Sequence, residues 1–329
     1  MPMSWRSILA ADLLPCLALQ PANRGDKLVG SDAALQVWRG LLRDPFFIAV
    51  AFESDPPIGG HSLIGFGASA FVSATFMDAE LADPRPDINS RIIASVHSGQ
   101  SVLLTRDEIA RANASEGVDS VILYGSWREE ILSASQSAQV QTLLPSSYTK
   151  LHAGYRIGRI VWETACEHEE RFARSSGVYR AIGEFPESGR VLNIMSSVTA
   201  AAVPGSLGNV MCNYTEPVLR LRQSDQQLLL AAQDGATDWE LTAKLGLTLA
   251  GVKARWRSTF ARIALVRSDL VSDEDTGKNR GLQKRHGVLA YVREHPEELT
   301  PYTRRHLLPA RGRGAIRQAG TCLAQPPTQ

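Results

Sequence analysis

The sequence is poor in the residues that build covalent or metal-bound scaffolds. Four cysteines are spread over 329 residues, at Cys16, Cys166, Cys212 and Cys322. None forms a C-x-x-C pair or shares a histidine at metal-ligand spacing. That excludes a disulfide framework and the common zinc sites, and it suits free thiols in a reducing compartment. The seven histidines are equally dispersed, with no H-E-x-x-H pair, so no metal and no cofactor motif is expected. No run approaches the roughly 18 apolar residues that a membrane span needs. Near the start, Asp12 and Pro15 interrupt the apolar residues Leu13, Leu14, Leu17 and Leu19. This makes a poor export signal, and Ile8, Leu9, Leu13 and Leu17 fit a short amphipathic helix instead. A cytoplasmic protein with no membrane partner is expected.

A large excess of charge is lacking too, with a net charge of only +1. The balance is uneven along the chain. Residues 216–329 hold 18 Lys and Arg against 12 Asp and Glu, whereas residues 1–215 hold 17 against 22. A basic final third on an acidic body suits a polyanionic partner for that third. The hydrophobic content, 44%, is that of a globular chain, and the length admits two domains.

Residues 1–212 mix strand and helix patterns and predict an N-terminal α/β or α+β domain. Residues 33–42 read as a helix. Residues 46–52 and 62–72 read as an antiparallel hairpin, with Pro56, Pro57, Gly59 and Gly60 at the turn. Residues 88–98 read as a helix and 102–104 as a short strand. Thr105 with Glu108 forms a capping box for a helix to about residue 114. Residues 118–125 are β-branched and apolar, as a buried strand should be. Residues 132–144, 146–156 and 159–175 read as three helices, and residues 196–205 as a weak strand or loop. Tyr124 and Trp127, at the end of the best strand, suit core packing or a pocket wall. Glu167, His168, Glu169 and Glu170 read as a solvated helix face. No catalytic residue is assigned.

Residues 217–270 predict an all-α domain, with a boundary near 211–217. Ser224 is an N-cap candidate for a first helix that Gly235 ends. Thr237 with Glu240 caps a second helix, Gly246 makes a tight turn, and Thr248 caps a third that runs to about residue 264. On the third helix Leu249, Val252, Trp256, Phe260 and Ile263 form one apolar stripe. Opposite lie Ala250, Gly251, Ala254, Ser258 and Ala261, flanked by Lys253, Arg255, Arg257 and Arg262. A small-residue face with cationic rims suits a DNA major groove. Residues 271–329 read as a basic tail with a helix over 282–294 and an Arg/Gly/Pro-rich end.

Gly235, Thr237, Glu240, Leu241, Leu245, Gly246, Leu247, Thr248, Val252 and Lys253 stand at spacings that resemble the LuxR-type (GerE-like) helix-turn-helix. The resemblance covers residues 221–266. It departs at Trp239 and Gly251, and the helix-turn-helix of sigma-factor region 4 is a competing match. It implies DNA contacts from Thr248, Lys253, Arg255, Arg257 and Arg262, and a homodimer. The stretch from His152 to Ile160, with the Gly65-x-Gly67 hairpin, slightly resembles the GNAT acetyltransferase superfamily. There Arg156 and Gly158 would open a loop for coenzyme A pyrophosphate. The resulting expectation is a one-component LuxR-type transcriptional regulator, with double-stranded DNA as partner and a small-molecule effector on the N-terminal domain. The alternative is an acyl-CoA-dependent, GNAT-like transferase with an accessory helix-turn-helix domain. A third reading makes the N-terminal domain an oligomerisation module.

Overall fold

The computed structural model describes residues 3–19, 32–44, 46–100, 102–233, 235–271 and 280–303. Its centre is a seven-stranded sheet. The strands are β1 (Met3–Ser7), β2 (Phe47–Ile58), β3 (His61–Val72), β4 (Val118–Trp127), β5 (Ile157–Thr164), β6 (Arg180–Phe185) and β7 (Arg190–Ser196). They lie in the order β1-β2-β3-β4-β5-β7-β6. The β4–β5 pair is parallel, whereas all other neighbours run antiparallel. The expected hairpin is β2–β3. Gly59 and Gly60, at φ +56° and +83°, make a tight two-residue turn that side-chain-bearing residues resist. Pro56 and Pro57 lie within β2 rather than in the turn, in the stretch between Glu53 and Ile58 where pairing with β3 lapses.

Helices cover both faces of the sheet. In chain order they are α1 (Leu13–Leu17), α2 (Asp32–Leu41), α3 (Ala74–Ala82), α4 (Ile88–His97), α5 (Arg106–Asn113), α6 (Ala134–His152), α7 (Glu167–Ser175), α8 (Ser197–Ala201) and α9 (Leu207–Met211). Helices α1 to α4 close one face over Phe66, Ala68, Val121 and Leu123. On the other face Phe71, Ile109, Ile160, Met195 and Met211 form one cluster, and Val50, Phe52, Ile64 and Val140 form a second. Three expectations are corrected here. Residues 132–144 and 146–156 are not two helices. A single α6 runs through Pro145, which forgoes one intrahelical hydrogen bond without ending the helix. Residues 159–175 are not one helix: the β-branched start becomes β5, and α7 begins only at Glu167. Residues 190–196 pair as the inner strand β7, after which Ser196 caps α8, where a weak strand or loop was expected.

Helices α10 (Gln223–Ala232), α11 (Asp238–Leu245), α12 (Leu249–Ala264) and α13 (Arg280–Glu294) follow. They share a core of Leu219, Leu228, Leu241, Val252, Trp256, Ile263 and Val288. Thr237 and Glu240 form their capping box, Gly246 adopts φ +64°, and Thr248 caps α12. The cap of α10 is Arg222, whose backbone N–H donates to Asp225, so Ser224 lies inside the helix. Residues beyond 303, including the Arg/Gly/Pro-rich end, lie outside the described residues. What is shown is therefore a mixed α/β chain with a seven-stranded sheet.

The segment after α13 packs against α5, α10 and the turn before β5. The Asn113 amide donates to the Pro301 carbonyl at 2.9 Å and accepts from Arg156 N–H at 3.0 Å. Gln226 donates to the carbonyls of Glu298 and Thr300, at 3.1 and 2.7 Å. The fully buried Glu298 carboxylate accepts from the N–H groups of Val218 and Leu219, at 2.8 and 2.9 Å. Burial still raises its pKa above the usual carboxylate value. Gly154 is the tight point of this junction. It sits at φ +86°, and a Cβ there would lie 2.4 Å from the Glu297 nitrogen. Gly154→Ala is expected to cost at least about 2 kcal/mol, from strain and the backbone clash together. A urea midpoint shift in the full chain measures it.

Candidate active site

A β-bulge creates the site. Ala68 pairs with Tyr124 and Ser69 with Ile122, so Leu123 is an extra residue on β4. Such a bulge breaks the alternation and turns the strand. Before it Ser120 and Ile122 face the α6 side; after it Gly125 and Trp127 do. The Leu123 carbonyl is taken up by the amide of buried Asn89, from α4. On its other edge β4 pairs with β5 only as far as Ile122 with Trp162. Beyond that row β4 continues to Trp127 beside β3 alone, and β5 continues to Thr164 beside β7 alone. The sheet therefore parts between two strands that remain supported on their outer sides.

A cleft of about 350 Å³ occupies this region, within the usual range of about 300–1,000 Å³ for small-molecule sites. Its floor is Gly67, Ser69, Ile122, Gly125 and Trp162. Helix α6 supplies Leu144, Tyr148 and Leu151, and Phe172, Met195, Leu207 and Met211 complete the walls. Tyr124 and Trp127 both line it. A Cβ at Gly67 would make ordinary contact with Val50, at 3.5 Å. Among the lining residues Glu169 is the single acidic or basic one. It was expected on a solvated face, yet it is only 5% exposed. One carboxylate oxygen accepts the Ala165 N–H at 2.7 Å, which closes the first turn of α7.

One polar pair adjoins the floor. The Ser69 hydroxyl lies 3.0 Å from His152 Nε2, and His152 Nδ1 lies 2.8 Å from the Tyr148 carbonyl. A carbonyl oxygen only accepts, so Nδ1 carries the hydrogen and Nε2 accepts from Ser69. The imidazole is held by stacking on Tyr148, at 3.8 Å and 20°, and edge-on against Phe71 at 5.5 Å. Burial pushes the His152 pKa down to about 4, although the carbonyl contact opposes that shift. Burial also raises the Tyr148 phenol, whose oxygen lies 2.9 Å from Ser120 Oγ. Sequence reasoning missed the Ser69–His152 pair because its members are 83 residues apart and no local motif joins them.

The GNAT-like loop reading at His152 to Ile160 is corrected. Arg156 immediately precedes strand β5 and Gly158 lies within it, so no anion-binding helix end stands there. The residues expected at DNA all lie on or cap α12. Thr248 is exposed and accepts from Gly251 N–H at 3.1 Å; Lys253 and Arg257 are exposed one turn apart, and Arg255 is half-buried. The Arg262 guanidinium is turned inward, 2.8 Å from buried Asp225, which also accepts from Thr259 at 2.8 Å. No group of three or more His, Cys, Asp or Glu among the described residues could hold a metal ion. No described helix is long and apolar enough to cross a membrane.

No protein-family model matches the chain, and no curated protein matches it in sequence. Solved structures resemble it remotely. One is FeeM, an N-acyl amino acid synthase from uncultured soil microbes: 11% identity, TM-score 0.34, covering 62% of this chain and 96% of that one. Another is the C-terminal condensation domain of Ebony in complex with beta-alanyl-dopamine: 9% identity, TM-score 0.38, covering 60% and 99%. The expectation of a DNA-binding LuxR-type regulator, with duplex DNA and an effector as partners, is corrected on this finding. The neighbours are a synthase and a condensation domain, not helix-turn-helix regulators. The cleft described above, moreover, lies against the sheet and not on α12.

His152 also sets a pH dependence. Its folded pKa lies below the unfolded value near 6.5, so the unfolded chain binds the proton first as pH falls. The stabilisation is intact above about pH 6.5 and is lost progressively between there and about pH 4, by about 3 kcal/mol. Unfolding free energy measured across that window should fall less steeply in His152→Gln than in the parent chain.

Proposed function

We propose that the sheet domain is an acyl-transfer enzyme whose cleft takes the apolar acyl chain of an activated acyl donor. The observation that carries this is the nearly uncharged cleft at the row where β4 and β5 part. An apolar channel of this size gains about 0.8 kcal/mol for each methylene it removes from water. The separated strand edges offer backbone groups to an amide-containing carrier arm, which can add alongside them as a short extra strand. The antiparallel hairpin beside a single parallel strand pair supports a GNAT-like relation for this domain. That relation rests on the strand arrangement and not on the Arg156–Gly158 loop. For residues 217–270 we infer a helix-turn-helix layout, supported by α11, the Gly246 turn and α12, and we assign it no role on nucleic acid.

The test is thioester consumption. The full chain, given acyl-CoA donors from acetyl to palmitoyl and a panel of primary amines, should release free thiol, read with a thiol reagent. An amide product should appear by mass spectrometry. No release with any donor and amine would contradict the proposal. Leu144→Trp adds bulk to the α6 wall and should shift the preferred donor to shorter chains. Each excluded methylene should cost about fourfold in kcat/KM, equivalent to about 0.8 kcal/mol.

A further inference from the structure

The geometry points to Ser69 as a nucleophile that carries the acyl group as an ester, with His152 as its base. This rests on the acyl-transfer reading and adds a covalent intermediate to it. Its first support is position. Ser69 on β3, Ile122 on β4 and Trp162 on β5 form one row across the sheet, and it is the last row in which β4 and β5 are paired. Ser69 therefore stands in the row where the parting begins, one strand from it and beside the Leu123 bulge, and lines the cleft. An acyl chain lying in the cleft with its carbonyl over Ser69 on the floor would present that carbon to the hydroxyl.

The second support is pairing. A serine nucleophile needs a base within hydrogen-bond reach and a third group that fixes the base. Ser69 has both in His152 Nε2 at 3.0 Å and the Tyr148 carbonyl at 2.8 Å. The other serine and threonine hydroxyls of the lining are used locally. Ser147 donates to the Leu144 carbonyl, Thr149 to Pro145, Ser175 to Phe172 and Ser176 to Ala173. Ser206 accepts from Asn209 N–H as the cap of α9. No cysteine is among the lining residues.

The chemistry balances with a thioester donor and an amine acceptor. Ser69 Oγ bonds to the acyl carbon as its proton passes to His152 Nε2, and the carbon–sulfur bond breaks. The proton on His152 then goes to the departing thiolate, leaving an ester on Ser69 and a free thiol. An amine nitrogen next attacks the ester carbon and gives a proton to Nε2. The carbon–Oγ bond breaks, Ser69 recovers that proton, and an amide leaves.

A p-nitrophenyl dodecanoate burst tests this without depending on how a thioester carrier is held. The full chain, mixed with the ester and no amine, should release close to one p-nitrophenolate per chain in a fast phase. After acid quench the intact mass should rise by one dodecanoyl group, mapped by peptide sequencing to Ser69. Ser69→Ala should lose both signals, and His152→Gln should slow the burst at least a hundredfold. Ser69→Cys, which keeps a nucleophile at the same place, should show the adduct as a thioester and controls for a variant that fails to fold. An adduct persisting in Ser69→Ala overturns the inference. So does a chain that turns over acyl-CoA with an amine but shows no burst and no adduct, and in that case the acyl-transfer reading stands. If neither burst nor thioester consumption occurs, both fall.

Discussion

The structure depends on a change of partner along β4. Up to Ile122 the strand is paired on both edges; past the Leu123 bulge it is paired only with β3. Backbone groups in a sheet interior are normally satisfied across both edges, so a parting needs compensation. Here the bulge carbonyl is held by Asn89, and each departing strand keeps one antiparallel neighbour, β3 on one side and β7 on the other. A wedge opens in the middle of the sheet without loosening either half. Apolar side chains from α6, α7, β7 and α9 then enclose it as a cleft.

That constraint explains why the polar side chains beside the floor are engaged with one another. An unpaired buried polar group costs about 1–3 kcal/mol, so Ser69 and His152 are retained as a hydrogen-bonded pair fixed by Tyr148. The depressed His152 pKa is the electrostatic record of the same burial, because charging an imidazole there would forfeit hydration. The α12 cations have the opposite character. Lys253 and Arg257 are exposed, and Arg262 is committed to Asp225 inside the helical unit. A basic helix surface is easily read as a binding face, but that surface encloses nothing comparable to the cleft.

Features that depend on neighbours in the chain were legible in the sequence. Thr105 with Glu108, Thr237 with Glu240, and the Gly246 turn are capping devices spanning a few residues, and each stands where expected. The hairpin β2–β3 and strand β4 were legible from β-branched runs and the glycines between them. Strand β5 was not, because its eight residues run almost directly into the charged helix α7 and share its helical periodicity by accident. Strand β7 was missed because Arg190 and Asn193, polar in the sequence, are buried in a network with Glu163, Thr164 and Glu170. The cleft itself was beyond sequence reading. Its floor joins β3, β4 and β5, and its walls come from segments as distant as Ile48 and Met211. Tyr124 and Trp127 were singled out, as core or pocket-wall aromatics, and both line the cleft; Ser69 was not.

The central claim is that the parting of β4 and β5 holds an acyl chain. Calorimetric titration of the full chain with saturated acyl-CoA thioesters of increasing length measures it most directly. One site per chain is expected. Affinity should rise about fourfold for each added methylene, the equivalent of about 0.8 kcal/mol, until the cleft is filled and the gain stops. Affinity independent of chain length, or no saturable binding at any length, would contradict it.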